Sequence, residues 1–301
     1  MEQSVVDVKE LSRWFGGKNA LDGVSFRATA GQVYGLVGAN GAGKTTLLKH
    51  LLGLLRATTG SVRVFGLDPV RDPVGVLSRV GYLSEERELP EWMRVDELMR
   101  YTQAYHPTWD ASYAHELLET FALDPAKKIK DLSKGMRAQA GLIAAVAYRP
   151  ELLILDEPSS GLDAVVRRDI LDAIVRAVAD DGRTVIFSSH LLDEVERMSD
   201  HVTMIQNGRV TLSGVLDDVR RDYQRSRVRF AEHFNQPPIL DTALLLEGSG
   251  RTWSVIHSGS LENFRASVLA RGGEVVESRD ATLEEIFLAR AGRNNQQVEA
   301  A

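Results

Sequence analysis

A chain of 301 residues, 44 % hydrophobic and 26 % charged, holds enough apolar material for one large or two smaller cored domains. Its net charge of −6 argues against a general nucleic-acid binder, which needs a basic face. With no cysteine, disulfides and thiolate metal sites are excluded, and a reducing compartment, the cytosol, is the expected setting.

The N-terminal stretch MEQSVVDVKE is acidic and mixed, without the basic-then-apolar order of an export signal, and is expected to be retained. No apolar run approaches the roughly 18 residues of a membrane span. The nearest, Leu142 to Ala147 and Leu152 to Leu155, read as core, so a membrane role requires a partner chain. Val33 to Val37 is the first clear buried strand. After a glycine-rich turn, Thr45 to Leu55 places leucines at 47, 48, 51, 52, 54 and 55 on one broad helical face. Gly60 and Ser61 are read as the end of that unit, followed by strands at Val62 to Phe65 and Val80 to Leu83. Pro90 to about Leu123 is helical and polar, with Pro90, Pro107 and Pro125 as breakers. Buried strands return at Leu152 to Leu155 and Thr184 to Phe187, separated by an amphipathic stretch from Ala164 to Ala179. Val202 to Ile205, followed by Asn207 and Gly208, predicts a hairpin. This alternation of short strands and helices points to a largely parallel sheet covered by helices. The charged run Arg220 to Arg229 and the break at Asn235 to Pro238 mark a domain boundary near residue 216. Beyond it the chain predicts strand at Ala243 to Leu246, a GSG turn, strand at Thr252 to Ile256, helix at Leu261 to Arg271, strand at Glu274 to Val276 and helix at Leu283 to Ala291. Trp253 and Phe287 are expected in the core of this small α/β appendage.

The turn after the first buried strand, GANGAGKTT from Gly38 to Thr46, has phosphate-loop spacing between a strand and a helix. Gly38, Asn40, Gly41, Ala42 and Gly43 let successive amides face inward, and the helix N-terminus adds about half a positive charge for a nucleoside triphosphate. Lys44 is placed to reach the β and γ phosphates, the Thr45 hydroxyl to complete an octahedral Mg²⁺ site, and Thr46 to extend the cradle. LLILDE ends a strand in two carboxylates: Asp156 would support Mg²⁺ through its waters, and Glu157 would polarise the water that attacks the γ phosphate. LSKGM, Leu132 to Met136, opens a second helix, where Ser133 and the Gly135 amide could meet a phosphate.

In chain order, with LSKGM between the phosphate loop and LLILDE, the motifs resemble the ATP-binding cassette family, over about residues 4 to 215. The resemblance implies an α/β P-loop ATPase core with an antiparallel β subdomain and a helical insert at about 86–145, together forming residues 1–215, with the C-terminal α/β domain at 216–301. It implies ATP and Mg²⁺ as ligands, and a second ATPase subunit, in a homodimer, whose Ser133 and Gly135 close on the first subunit's ATP. SSGLD matches the family's D-loop, with Asp163 at that interface, and His190 in FSSH matches its switch histidine near the γ phosphate, which with Glu157 and Lys44 makes up the catalytic set the resemblance implies. Phe15 falls where the family stacks an aromatic on adenine; Trp14, or burial of Phe15 in the core, is the alternative. The family's Q-loop glutamine is replaced by Glu85, or by Glu86 on another alignment, and a carboxylate there could still ligate Mg²⁺ or its water. Lys134 and Met136 depart from the usual signature. The acidic Q-loop, LSKGM and the C-terminal RGGEVVESRDATLEEIFLA look like ATPase subunits of type-2 exporters, peripheral on the cytoplasmic membrane face through separate permease subunits. A soluble family member acting on ribosomes or DNA is the rival reading, although no nucleic-acid partner is expected from the charge.

Overall fold

The computed structural model describes residues 4–179 and 182–298, so Met1 to Gln3 of the N-terminal stretch lie outside it. Long-range contacts divide the chain into Met1–Leu212 and Ser213–Ala301. The first unit begins with two long strands, β1 (Ser4–Phe15) and β2 (Lys18–Thr29), which pair antiparallel. They were not picked out as strands because polar residues interrupt their alternation and their register slips at several points. Next come β3 (Val33–Val37), α1 (Lys44–Leu51), β4 (Thr59–Val64), α2 (Pro73–Leu77) and β5 (Val80–Leu83). Strand β4 pairs antiparallel with β1 and includes Gly60 and Ser61, so these residues extend the strand rather than end the preceding unit. Helix α1 is shorter than the leucine pattern suggests. The Gly53 and Leu54 amides turn back onto the His50 and Lys49 carbonyls, and Leu54 is left 60 % exposed.

The polar helical region holds α3 (Val95–Tyr105) and α4 (Ala111–Thr120), and α5 (Lys134–Val146) follows. Then come β6 (Leu152–Asp156), α6 (Ala164–Ala179), β7 (Thr184–Ser189), α7 (Leu192–Met198), β8 (His201–Gln206) and β9 (Arg209–Val215). A six-stranded sheet runs in the order β5-β6-β7-β3-β8-β9, with the β5–β6, β6–β7, β7–β3 and β3–β8 pairs all parallel. Every residue of β3, β6 and β7 is buried, as continuous apolar runs in a parallel sheet require. The β8–β9 hairpin turns at Asn207 and Gly208, both with positive φ (50° and 77°). The core joins the β1–β2–β4 sheet to α1 through Val6, Leu11, Leu21, Leu47, Leu48 and Leu51, all fully buried. Each such leucine contributes about 2 kcal/mol by burial, which anchors the helix that follows the glycine-rich turn.

In the second unit α8 (Leu216–Asp222) leads into β10 (Tyr223–Phe234). The charged run therefore closes α8 and from Tyr223 on is a strand: Ser226, Val228 and Phe230 alternate inward while the arginines between them do not. β11 (Ala243–Ser258) folds back on itself at the expected GSG turn: a side chain at Gly248 would sit 2.5 Å from the Thr252 carbonyl, and the residues paired with β10 lie between Gly250 and Ser258. α9 (Leu261–Ala270), β12 (Gly273–Asp280) and α10 (Leu283–Val298) complete the unit. The sheet order is β11-β10-β12, and both pairings are antiparallel. Trp253 is buried in its core, and Phe287 is half-buried. Among the described residues no helix is long and apolar enough to cross a membrane.

Candidate functional site

The glycine-rich turn connects the C-terminal end of β3 to the N-terminus of α1, so its amides gather at the positive end of the helix dipole. Neighbouring backbone presses on it from two directions. The Gly208 amide donates to the Ala42 carbonyl at 2.9 Å. A side chain at Gly38 would collide with the Ile205 carbonyl, and one at Gly43 would sit 2.6 Å from the Ala20 carbonyl. Gly43 also has φ +117°, which is strained for any other residue. Gly43→Ala is expected to lower stability by about 2–3 kcal/mol through this combined clash and strain, read as a lower urea midpoint with an unchanged m-value.

A cavity of about 520 Å³ opens over the turn, lined by Asn40, Gly41, Ala42, Gly43, Lys44, Thr45 and Thr46 together with Phe15, Lys18, Ala20, Glu85 and Glu157. Of the two candidate aromatics, Phe15 lines this cavity and Trp14 does not. Phe15 is 44 % exposed, which removes the core reading, and the Arg13 guanidinium lies 4.6 Å from its ring centre. Glu85 lines the cavity as well, whereas Glu86 lines a separate groove.

Buried polar contacts connect the motifs beneath the cavity. The Lys44 ammonium donates to the Gly38 carbonyl at 2.6 Å and pairs with Glu157 Oε1 at 3.1 Å, both side chains being about 5 % exposed. His190 Nδ1 donates to Glu157 Oε2 at 2.6 Å. The Thr45 hydroxyl donates to Asp156 Oδ1 at 3.1 Å. Ser188 ties the Glu157 backbone to the Asp156 carboxylate: its Oγ accepts from the Glu157 amide at 2.9 Å and donates to Asp156 Oδ1 at 2.6 Å. Burial, and after it the negative charge of Asp156 and Glu86, pushes the Tyr82 phenol up to about 12.

Ser188 was missed in the sequence, although FSSH carries the signal: a strand ending in hydroxyls beside an acidic strand end. Lys18 and Arg87 were missed as well. A lone lysine after a glycine pair gives no pattern, and Arg87 sits in the charged run EERE, where a solvated residue is the default.

The remaining candidates lie apart from this cluster. Ser133 caps α5 by accepting from the Met136 amide at 3.2 Å; it is exposed, Gly135 is buried against Val166, and neither lines the cavity. Asp163 Oδ1 accepts from the Val165 and Val166 amides, both at 3.0 Å, and so caps α6. Among the described residues no group of three or more His, Cys, Asp or Glu could hold a metal ion. The Thr45 hydroxyl and the Asp156 carboxylate are nonetheless hard oxygen donors of the type Mg²⁺ takes, and that ion commonly completes its shell with phosphate and water.

Comparison with known proteins gives consistent likenesses. A family model described as "ABC transporter" matches residues 21–160. Daunorubicin resistance ATP-binding protein DrrA3 of Streptomyces coeruleorubidus is 31 % identical, with all of both chains aligned. ABC transporter ATP-binding protein YtrB of Bacillus subtilis (strain 168) is 27 % identical over 96 % of this chain and 98 % of its own. A solved structure titled "Structure of ATP binding subunit of ABC transporter" superposes with a TM-score of 0.67 and 31 % identity, covering 72 % of this chain and 92 % of its own.

Proposed function

The chain belongs to the ABC transporter family as an ATP-binding, ATP-hydrolysing subunit, and on that premise we propose that it drives an exporter by ATP-dependent closure of a dimer. The observation that carries this reading is the convergence on one cavity of the glycine-rich turn, Lys44 and Glu157, with His190 bonded to the Glu157 carboxylate. Export is supported by the full-length likeness to a drug-resistance protein.

In this mechanism the amides of Gly41, Gly43 and their neighbours receive the β and γ phosphates, while Phe15 stacks on the base. Lys44 exchanges its Glu157 counterion for the γ phosphate. Glu157, released from Lys44 and oriented by His190, accepts the proton of the attacking water. Thr45 and Asp156, with Glu85 at the rim, would hold Mg²⁺, whose charge offsets that of the phosphates. Ser133 and Gly135, at the N-terminus of α5 and away from the cavity, suit the role of completing a second subunit's site, with Asp163 supporting the same interface.

The permease would enter the groove of about 870 Å³ lined by Val74, Leu77, Tyr82, Leu89 and Tyr105. Val74 and Tyr105 are 78 % and 67 % exposed, an apolar face that a membrane partner would cover and that would bring this subunit to the membrane surface. Affinity purification from detergent extracts is expected to recover a polytopic membrane protein, and light scattering is expected to show a dimer only with ATP. Recovery of ribosomes or DNA instead would favour the soluble rival and overturn the export reading.

A further inference from the structure

The segment immediately after Glu157 is held by two buried side chains from different elements. Arg87, 5 % exposed, donates from Nη2 to the Pro158 carbonyl at 3.0 Å and to the Ser160 carbonyl at 2.9 Å. Between those carbonyls, the Ser159 hydroxyl donates to Glu194 Oε2 at 2.7 Å. Glu194, 2 % exposed, also accepts from the hydroxyl of Ser189, the residue preceding His190. Residues 158–160 are thus tied both to the loop carrying Glu85 and to the strand end carrying the histidine.

Glu157 itself has φ +48° and Arg87 φ +50°, conformations that a side-chain-bearing residue keeps only when its surroundings enforce them. Arg87 Nε and Nη1 are buried without a hydrogen-bond partner among the described residues. A guanidinium is expensive to bury with idle donors, so packing alone does not explain an arginine here. Burial pulls it below its ordinary value, and the charge of Glu85, at the rim of the phosphate cavity, pulls it back.

We propose that Arg87 is a positioning residue for hydrolysis: its two-carbonyl grip on Pro158 and Ser160 fixes the backbone that aims the Glu157 carboxylate, and so connects the Glu85 loop to the hydrolytic step. The proposal rests on Glu157 being the base. Arg87 makes no hydrogen bond to the phosphate cradle, so its loss acts on turnover and leaves nucleotide binding in place.

The test uses the full chain with Arg87→Met and Arg87→Lys, measuring kcat per bound ATP, ATP affinity and thermal midpoint, with wild type and Glu157→Gln alongside. Arg87→Met is expected to lose about 100-fold in kcat with ATP affinity within about threefold, the scale of a misaimed catalytic group. Arg87→Lys keeps the charge beside Glu85 but ends one bond short of the Nη2 atom that holds both carbonyls, and is expected to remain at least about tenfold impaired. A lysine variant at wild-type kcat would show that charge suffices and overturn the grip; so would a methionine variant within twofold of wild type, or both variants failing to fold, which would make Arg87 structural. If Glu157→Gln turns over ATP normally, it is the catalytic assignment that falls, and the two failures are told apart.

Discussion

Glu157→Gln is expected to reduce kcat by about 10²–10⁴-fold while ATP still binds and holds the dimer closed. The glutamine has the shape of the glutamate and its carbonyl oxygen can still accept from His190 Nδ1, so the strand end and the fold are preserved. It cannot take a proton from water. It also removes the charge that Lys44 pairs with at 3.1 Å, leaving the ammonium free for phosphate, so ATP affinity should hold or rise. Steady-state phosphate release gives the rate, and light scattering with ATP gives the dimer. Wild-type turnover would remove Glu157 from the chemistry, and a monomer with bound ATP would break the coupling of closure to nucleotide.

Lys44→Ala acts on the earlier step. Nucleotide affinity is expected to fall at least about 100-fold, equivalent to about 2.8 kcal/mol, because the buried Lys44 cation at the phosphate loop is lost from a site built for a polyanion. The same change leaves the Glu157 carboxylate, 4 % exposed, without its cationic partner. Removing one member of a buried pair costs about 3–5 kcal/mol, so the protein should also melt earlier before any nucleotide is added. Lys44→Ala combined with Glu157→Gln should regain most of that stability without regaining affinity. Equilibrium binding of a fluorescent ATP analogue and thermal melts of the four proteins separate the two effects. An additive double mutant would show that the Lys44–Glu157 contact contributes nothing to stability.

Both predictions concern residues that short motifs identify, and the reason is chemical. A phosphate loop needs glycines at fixed offsets and a lysine at the helix start, so GANGAGKT is recognisable without tertiary knowledge. The buried parallel strands were legible for a similar reason: Val80–Leu83 and the starts of β6 and β7 are continuous apolar runs that few other environments accommodate. Strands β1, β2 and β10 were harder, since each has one polar face and irregular pairing, and charge on an outer face reads locally as a loop. GSG between two apolar runs is the signature of a turn, and the chain does fold back there within β11, bringing Gly248 against Thr252 and Trp253.

The sequence by itself determined the ligand class and the main chemical groups: a triphosphate cradle, two carboxylates at a strand end and a histidine at the next. Only the tertiary structure decided which alternatives meet. It brought Phe15 rather than Trp14, and Glu85 rather than Glu86, to the cavity, and left Ser133 and Gly135 away from it. It alone disclosed Ser188 between the Glu157 amide and the Asp156 carboxylate, and Arg87 on the carbonyls of Pro158 and Ser160. The division follows from how each contact is made. Motif chemistry is written in residues close along the chain, whereas Arg87 and Pro158 are 71 positions apart and their bond joins a side chain to a backbone carbonyl, which any residue type supplies and no spacing records.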